Sequence, residues 1–265
     1  MKAYNFLYDN YLLSDFGMII CKFGSDGIQT SSAGSHIAFE TISTMNGAKH
    51  ELVSVEYDNC ITATFQICKN PCGGNTDNEI SIDEFRNIMK WLNRKEFHKF
   101  QLIDDEYINI YFEATFNVSK IEFNGKIYGI ELEMVTNRPY AIHEPIILQI
   151  KNTELNGVKK IYSKSDDEGY IYPEMEILIK DDCNLEIHNS LEDRTMRIAN
   201  CKSGEIIKIN YPIIETSDGE HKINNDFNWN YFRIANTFRD KENIITISHP
   251  CTIKIKYSPV VKVGI

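Results

Sequence analysis

Long apolar runs are missing from this chain: no uninterrupted apolar segment approaches the ~18 residues that a membrane-spanning helix needs, so no membrane span is expected. A basic stripe is missing as well. Lys and Arg total 28 against 38 Asp and Glu, a net charge of −10, and the acidity is uneven. Residues 1–143 hold 12 basic and 19 acidic side chains, whereas the remainder hold 16 and 19. Nothing is arranged to neutralise phosphates, which disfavours dedicated nucleic-acid binding. Internal repeats and low-complexity tracts are likewise absent. The region Met1–Gly17 carries charges and turn residues where a signal peptide would need an apolar run. The seven cysteines are odd in number and scattered, and read as free thiols of a protein made and assembled in cytoplasm. What is present is an ordinary globular composition, 42% hydrophobic and 25% charged, enough to bury a core and unlike a disordered chain.

Alternation with period two dominates. Ile61, Ala63, Phe65 and Ile67 share one expected strand face, and Ile108, Ile110, Phe112, Ala114 and Phe116 another. Ile253, Ile255 and Tyr257 alternate with Lys254 and Lys256, the signature of a half-buried strand. Two Asn-Gly pairs in the first half predict tight hairpin turns because both turn centres favour positive φ. Asn46-Gly47 joins Phe39–Thr44 to Ala48–Val53, and Asn124-Gly125 joins Lys120–Phe123 to Lys126–Met134. One helix is expected over about 81–93. Ser81 caps it, Glu84 completes a capping box, and Phe85, Ile88, Met89 and Leu92 form its apolar face. Arg86, Lys90 and Arg94 take the remaining surface. Asn70–Glu79 is a polar loop. A junction falls at 137–145, where Pro139 and Pro145 interrupt strand pairing, and short strands follow at 146–151, 169–179, 183–188, 205–211, 244–248 and 252–257. The expected fold is therefore mainly β, with domains at 1–143 and 144–265, the second a β-sandwich.

Motifs that carry chemistry are few. His50-Glu51-Leu52-Val53-Ser54 begins like a helical zinc-protease motif but has Ser54 where the second histidine belongs, so it reads as an ordinary strand after a turn. Cys68 and Cys72, followed by Gly73-Gly74, lack the second ligand pair of a zinc knuckle and read as loop or core thiols. The acidic groups Asp104-Asp105-Glu106, Asp166-Asp167-Glu168 and Asp181-Asp182 have neither calcium-loop spacing nor the facing geometry of a glycosidase pair. They read as solvated turns. Gly24-Ser25-Asp26-Gly27 is not a nucleophile elbow. No catalytic set, metal site or cofactor is expected. Phe227, Trp229, Tyr231 and Phe232 form the densest aromatic group. Trp229 and Tyr231 are candidates for a sugar-stacking platform, although the spacing of Phe227, Trp229 and Tyr231 also fits one face of a strand that anchors a core.

Several phrases in order resemble the distal tail protein (Dit) family of siphophages. They are Phe85–Leu92 (FRNIMKWL), Phe100–Tyr111 (FQLIDDEYINIY) and Gly129–Tyr140 (GIELEMVTNRPY). In the second half come Tyr172-Pro173-Glu174-Met175-Glu176-Ile177, Gly204-Glu205 before Ile207–Asn210, and Asn243-Ile244-Ile245 before Thr252–Tyr257. The resemblance implies an N-terminal β-sandwich that carries the helix and closes into a homohexameric ring, followed by a galectin-like β-sandwich. It implies a virion structural protein at the tail tip of a siphovirus or prophage, a baseplate hub. The partners implied are the tail tube protein, the tape-measure protein, a tail-associated lysin or fibre and a receptor-binding protein, with DNA passing through the lumen unbound. The rival reading is a carbohydrate-binding module of a host-recognition protein, supported by the galectin-like half and the aromatic group.

Overall fold

The computed structural model describes residues 4–23, 36–72, 78–237 and 239–263. Both Gly24-Ser25-Asp26-Gly27 and Gly73-Gly74 lie outside them. The chain divides into two units, Met1–Ile142 with Lys262–Ile265, and His143–Val261. Both are built of β-sheet and are sandwich-like.

In the first unit the strands run Tyr11–Leu12, Phe6–Tyr8, His98–Leu102, Ile110–Phe123, Lys126–Thr136, Thr62–Lys69 and Met18–Cys21 across one antiparallel sheet. Phe65 and Phe100 stand three strand spacings apart in that order, roughly 14 Å in a flat sheet. Their ring centroids are nevertheless 5.7 Å apart. The sheet therefore curls over on itself and encloses Phe6, Tyr8, Phe100, Phe112 and Phe116, all essentially without exposure.

The helix is Ile82–Leu92, with Ser81 as cap and Glu84 closing the capping box as predicted. Burial pulls the Glu84 carboxyl upward, but the Ser81 amide and Lys69 outweigh it and hold the group below its usual range. The buried face is Ile88, Trp91 and Leu92, so it is rotated from the expected stripe toward Trp91. That ring stacks on Phe16 at 4.2 Å and on Phe6 at 5.7 Å, and its Nε1–H donates to the Tyr8 carbonyl. Phe85 is only half-buried, covered by the Lys120 ammonium 5.1 Å from its ring. One strand starts later than its alternation suggests. Asn109 takes φ +59° and breaks the period, leaving Ile108 exposed in a turn before Ile110.

The second unit pairs a five-stranded sheet (Ile146–Asn152, Cys251–Tyr257, Glu174–Ile179, Ile206–Asn210, Ile213–Thr216) with a four-stranded one (Gly157–Tyr162, Glu242–Ile247, Cys183–Asn189, Arg194–Cys201). Alternate residues from both sheets, among them Ile177, Ile187, Ile198, Ile207, Ile247, Ile253 and Ile255, form one core. The expected strand 169–179 is two strands. Pro173 has no N–H for a ladder, and the chain leaves Gly169–Ile171, which pairs with Ile234–Asn236, before entering Glu174–Ile179. Strands at 157–162, 194–201 and 213–216 carry polar residues on their outer faces, and the sequence reading passed over them.

Two polar fastenings sit inside this unit. Asn243 is fully buried; its Oδ1 accepts from the Asn189 side chain and the Ala235 amide, while its Nδ2–H donates to the Ala235 carbonyl. Glu205 is also buried. It accepts from the Lys202 amide and the Thr216 hydroxyl, and His221 Nδ1 lies 2.6 Å from its Oε1. These residues tie the segments after 216 and before 237 onto the sandwich.

Candidate interaction surfaces

A second Asn-Gly hairpin behaves differently from the rest of the first unit. Among the described residues Ile37–Thr44 and Lys49–Tyr57 pair only with each other, as a separate two-stranded sheet. Its turn is the predicted one, with Asn46 at φ +54° and Gly47 at φ +89°. The cross-strand pairs Ile37/Tyr57, Phe39/Val55 and Thr41/Leu52 fall on one face. Val55 and Leu52 are three apart, and strict alternation would send them to opposite sides. A register shift next to Glu40 makes Val53 an extra residue and returns Leu52 to the apolar face. The opposite face carries Glu40, hydrogen-bonded to Ser54, and Glu51 opposite Ile42. Phe39 is 65% exposed, and Ile37, Leu52, Val53 and Val55 are exposed too. A lone two-stranded hairpin is marginal in water, and an uncovered apolar face marks an interaction site. The motif-like His50–Ser54 lies on this hairpin as strand, in agreement with the ordinary reading.

A second apolar surface of the same unit is a cavity of about 350 Å³ lined by Phe23, Ile121, Glu122, Phe123 and Tyr128. Gly129 lies beside it. A Cβ there would stand 2.3 Å from the Phe23 ring and 3.2 Å from the Ile67 carbonyl.

The aromatic group at 227–232 departs from its expected geometry. It is not a strand, because Trp229 adopts φ +55° and Asn228 binds the neighbouring strand with its own side chain, accepting from the Arg197 amide and donating to the Thr195 carbonyl. A left-handed residue in mid-segment destroys the two-residue period. Phe227, Tyr231 and Phe232 are buried, whereas Trp229 is exposed. Trp229 and Tyr231 do meet, with centroids 6.4 Å apart at 68°. Tyr231 acts from below: its hydroxyl donates to the Pro212 carbonyl, and burial, then the Tyr211 phenol, push its own phenol up. The sequence reading missed Tyr170, Tyr172 and Tyr211, which join the same group. Their available signal was the Tyr-Pro pair at 172–173 and again at 211–212.

The acidic clusters occupy turns. Asp104 caps the turn Asp105–Tyr107. Asp182 accepts from the Ser203 amide, and that bond, then Lys202, hold its carboxyl below the usual range. Burial pushes the Cys201 and Cys251 thiols up to about 12, so neither is a thiolate nucleophile near neutral pH. Among the described residues, no group of three His, Cys, Asp or Glu could hold a metal ion, and no helix is long and apolar enough to cross a membrane.

These features belong to a class. Residues 1–138 match the model of a phage tail protein N-terminal domain, and residues 140–257 that of a phage tail C-terminal domain. The chain belongs to this family of phage tail proteins. Among solved structures its fold is similar to that of SPP1 Dit (gp 19.1), described as a paradigm of the hub adsorption apparatus in phages infecting Gram-positive hosts. That likeness has a TM-score of 0.67 at 9% identity and covers 97% of this chain and 99% of the other. No curated protein matches in sequence.

Proposed function

We propose that this protein is a structural tail-tip hub. Residues 1–143 close into a homohexameric ring, and residues 144–265 form a galectin-like domain. The ring joins the tail tube protein to a tail-associated lysin or fibre and to a receptor-binding protein. The tape-measure protein and DNA pass through its acidic lumen at the virion tail tip, after assembly in the host cytoplasm. The role is mechanical, not catalytic.

One observation carries this reading: among the described residues, the hairpin Ile37–Tyr57 leaves Ile37, Phe39, Leu52 and Val55 exposed on one apolar face, with Tyr57 at its end packed on Tyr140. Closed rings are built from heterologous contacts, in which two different patches of one subunit meet. The hairpin supplies one patch, and the cavity lined by Phe23 and Phe123 supplies a second, different one. A stable contact of this kind covers about 800 Å² on each partner.

Light scattering on the purified chain tests the reading. A hexamer's mass that falls to a monomer's on Phe39→Asp, with circular dichroism unchanged, is the expected result. A parent protein that stays monomeric even with the tail tube protein added overturns it.

A further inference from the structure

Three separate segments of the second unit converge on one aromatic surface. Tyr170 and Tyr172 lie at the strand Gly169–Ile171 and just beyond it, Tyr211 precedes Ile213–Thr216, and Trp229 projects from its left-handed position. The Tyr172 and Tyr211 rings stack in parallel, 4.0 Å apart at 6°, and Tyr170 meets Tyr172 edge-on at 5.4 Å. Tyr231 supports Tyr211 from within at 5.1 Å. Tyr170, Tyr211 and Trp229 remain 53%, 49% and 55% exposed. Arg233 lies over the Tyr170 ring at 3.8 Å, held by two hydrogen bonds to Glu192.

The occupant follows from area, charge and shape. Aromatic side chains bury ~150–250 Å² each when fully covered, so three at half exposure offer roughly 300 Å². That is well under the ~800 Å² per partner of a stable protein contact, but it suits a few sugar rings. At its edge the Arg233 guanidinium pairs with the Glu192 carboxylate and the Arg194 guanidinium donates to the Tyr231 carbonyl, so both cations are engaged within the chain and a neutral ligand fits. A saccharide has C–H faces that stack on such rings and a rim of hydroxyls that pair with tyrosine hydroxyls, guanidinium and carboxylate. Trp229 also holds a backbone conformation that bulky residues rarely adopt, and strain of this sort clusters at ligand sites.

We propose that this surface binds a neutral saccharide, with Trp229 and Tyr211 stacking on sugar faces and Tyr170, Arg233 and Glu192 bonding the hydroxyls. The sequence-derived pair Trp229 and Tyr231 is revised accordingly: Trp229 contacts the ligand and Tyr231 positions it. The inference stands apart from ring formation, since every residue involved lies in the second unit.

The test uses the full chain and saturation-transfer NMR against neutral gluco-, galacto- and N-acetylglucosamine tetrasaccharides. The expected result is saturable transfer to at least one, weakened about tenfold or more by Trp229→Asn and by Tyr170→Ala. Asparagine adopts the left-handed region readily, so Trp229→Asn keeps its melting temperature and separates loss of binding from loss of fold. Transfer to none of the sugars, equal transfer in both variants, or saturable binding only to a decaproline peptide overturns the proposal.

Discussion

The two Asn-Gly hairpins of the first unit start from the same turn chemistry and reach opposite ends. Asn124 and Gly125 take φ +50° and +74°, close to the +54° and +89° of Asn46 and Gly47. The hairpin around Asn124 lies within the curled sheet, and Phe112, Ala114, Phe116, Ile130, Leu132 and Met134 are buried. The hairpin around Asn46 pairs with no third strand among the described residues and leaves Phe39, Leu52 and Val55 in solvent. Turn chemistry makes a hairpin; neighbouring strands decide whether its apolar face is core or interface.

The largest effect that sharpens this contrast is in the buried hairpin. Phe116→Ala should cost about 3–5 kcal/mol in denaturant unfolding of the first unit, whereas Phe39→Ala in the exposed one should change monomer stability by less than about 0.5 kcal/mol. Equal losses at the two sites would erase the distinction. In the second unit, whose two sheets share one core, Glu205→Ala leaves His221 beside Asp226 without its close partner. The Lys202 amide and the Thr216 hydroxyl lose their acceptor as well, and buried groups left unpaired in this way cost about 1–3 kcal/mol, to be read from the thermal transition. Asn243→Ala leaves the Ala235 amide and the Asn189 side chain without their shared acceptor, a loss of about 1–3 kcal/mol. Hydrogen exchange at Ile234–Asn236 should accelerate.

The smallest effect is acid sensitivity at the helix. Because Glu84 has its folded pKa depressed, its contribution is fully present above the ordinary carboxylate value of 4.5 and is lost as pH falls through the folded value. Amide exchange in Ile82–Leu92 should therefore quicken below that pH in the parent protein. In Glu84→Gln it should show no such dependence.

Much of the fold was legible locally. Ser81 with Glu84, the Asn-Gly turns at 46–47 and 124–125 and the alternation of Ile253, Ile255 and Tyr257 are short-range signals, and each sits where expected. The misses share a cause. The turn of the helix face toward Trp91 depends on Phe6 and Phe16, far away in sequence. The split at Pro173 depends on Ile234–Asn236 offering a second pairing partner. The 227–231 segment lost its period because Asn228 found Arg197 and Thr195. Of the candidate sugar platform, Trp229 and Tyr231 were visible as an aromatic cluster, but Tyr170, Tyr172 and Tyr211 are brought in from other segments by the sandwich.

Residue order alone settled the β class of this phage tail protein, its capped helix and its turns, because each rests on contacts within a few residues. Tertiary packing alone decided which apolar face is left open and which rings share a surface. Burial is a property of the neighbours a strand acquires, and those neighbours come from distant parts of the chain.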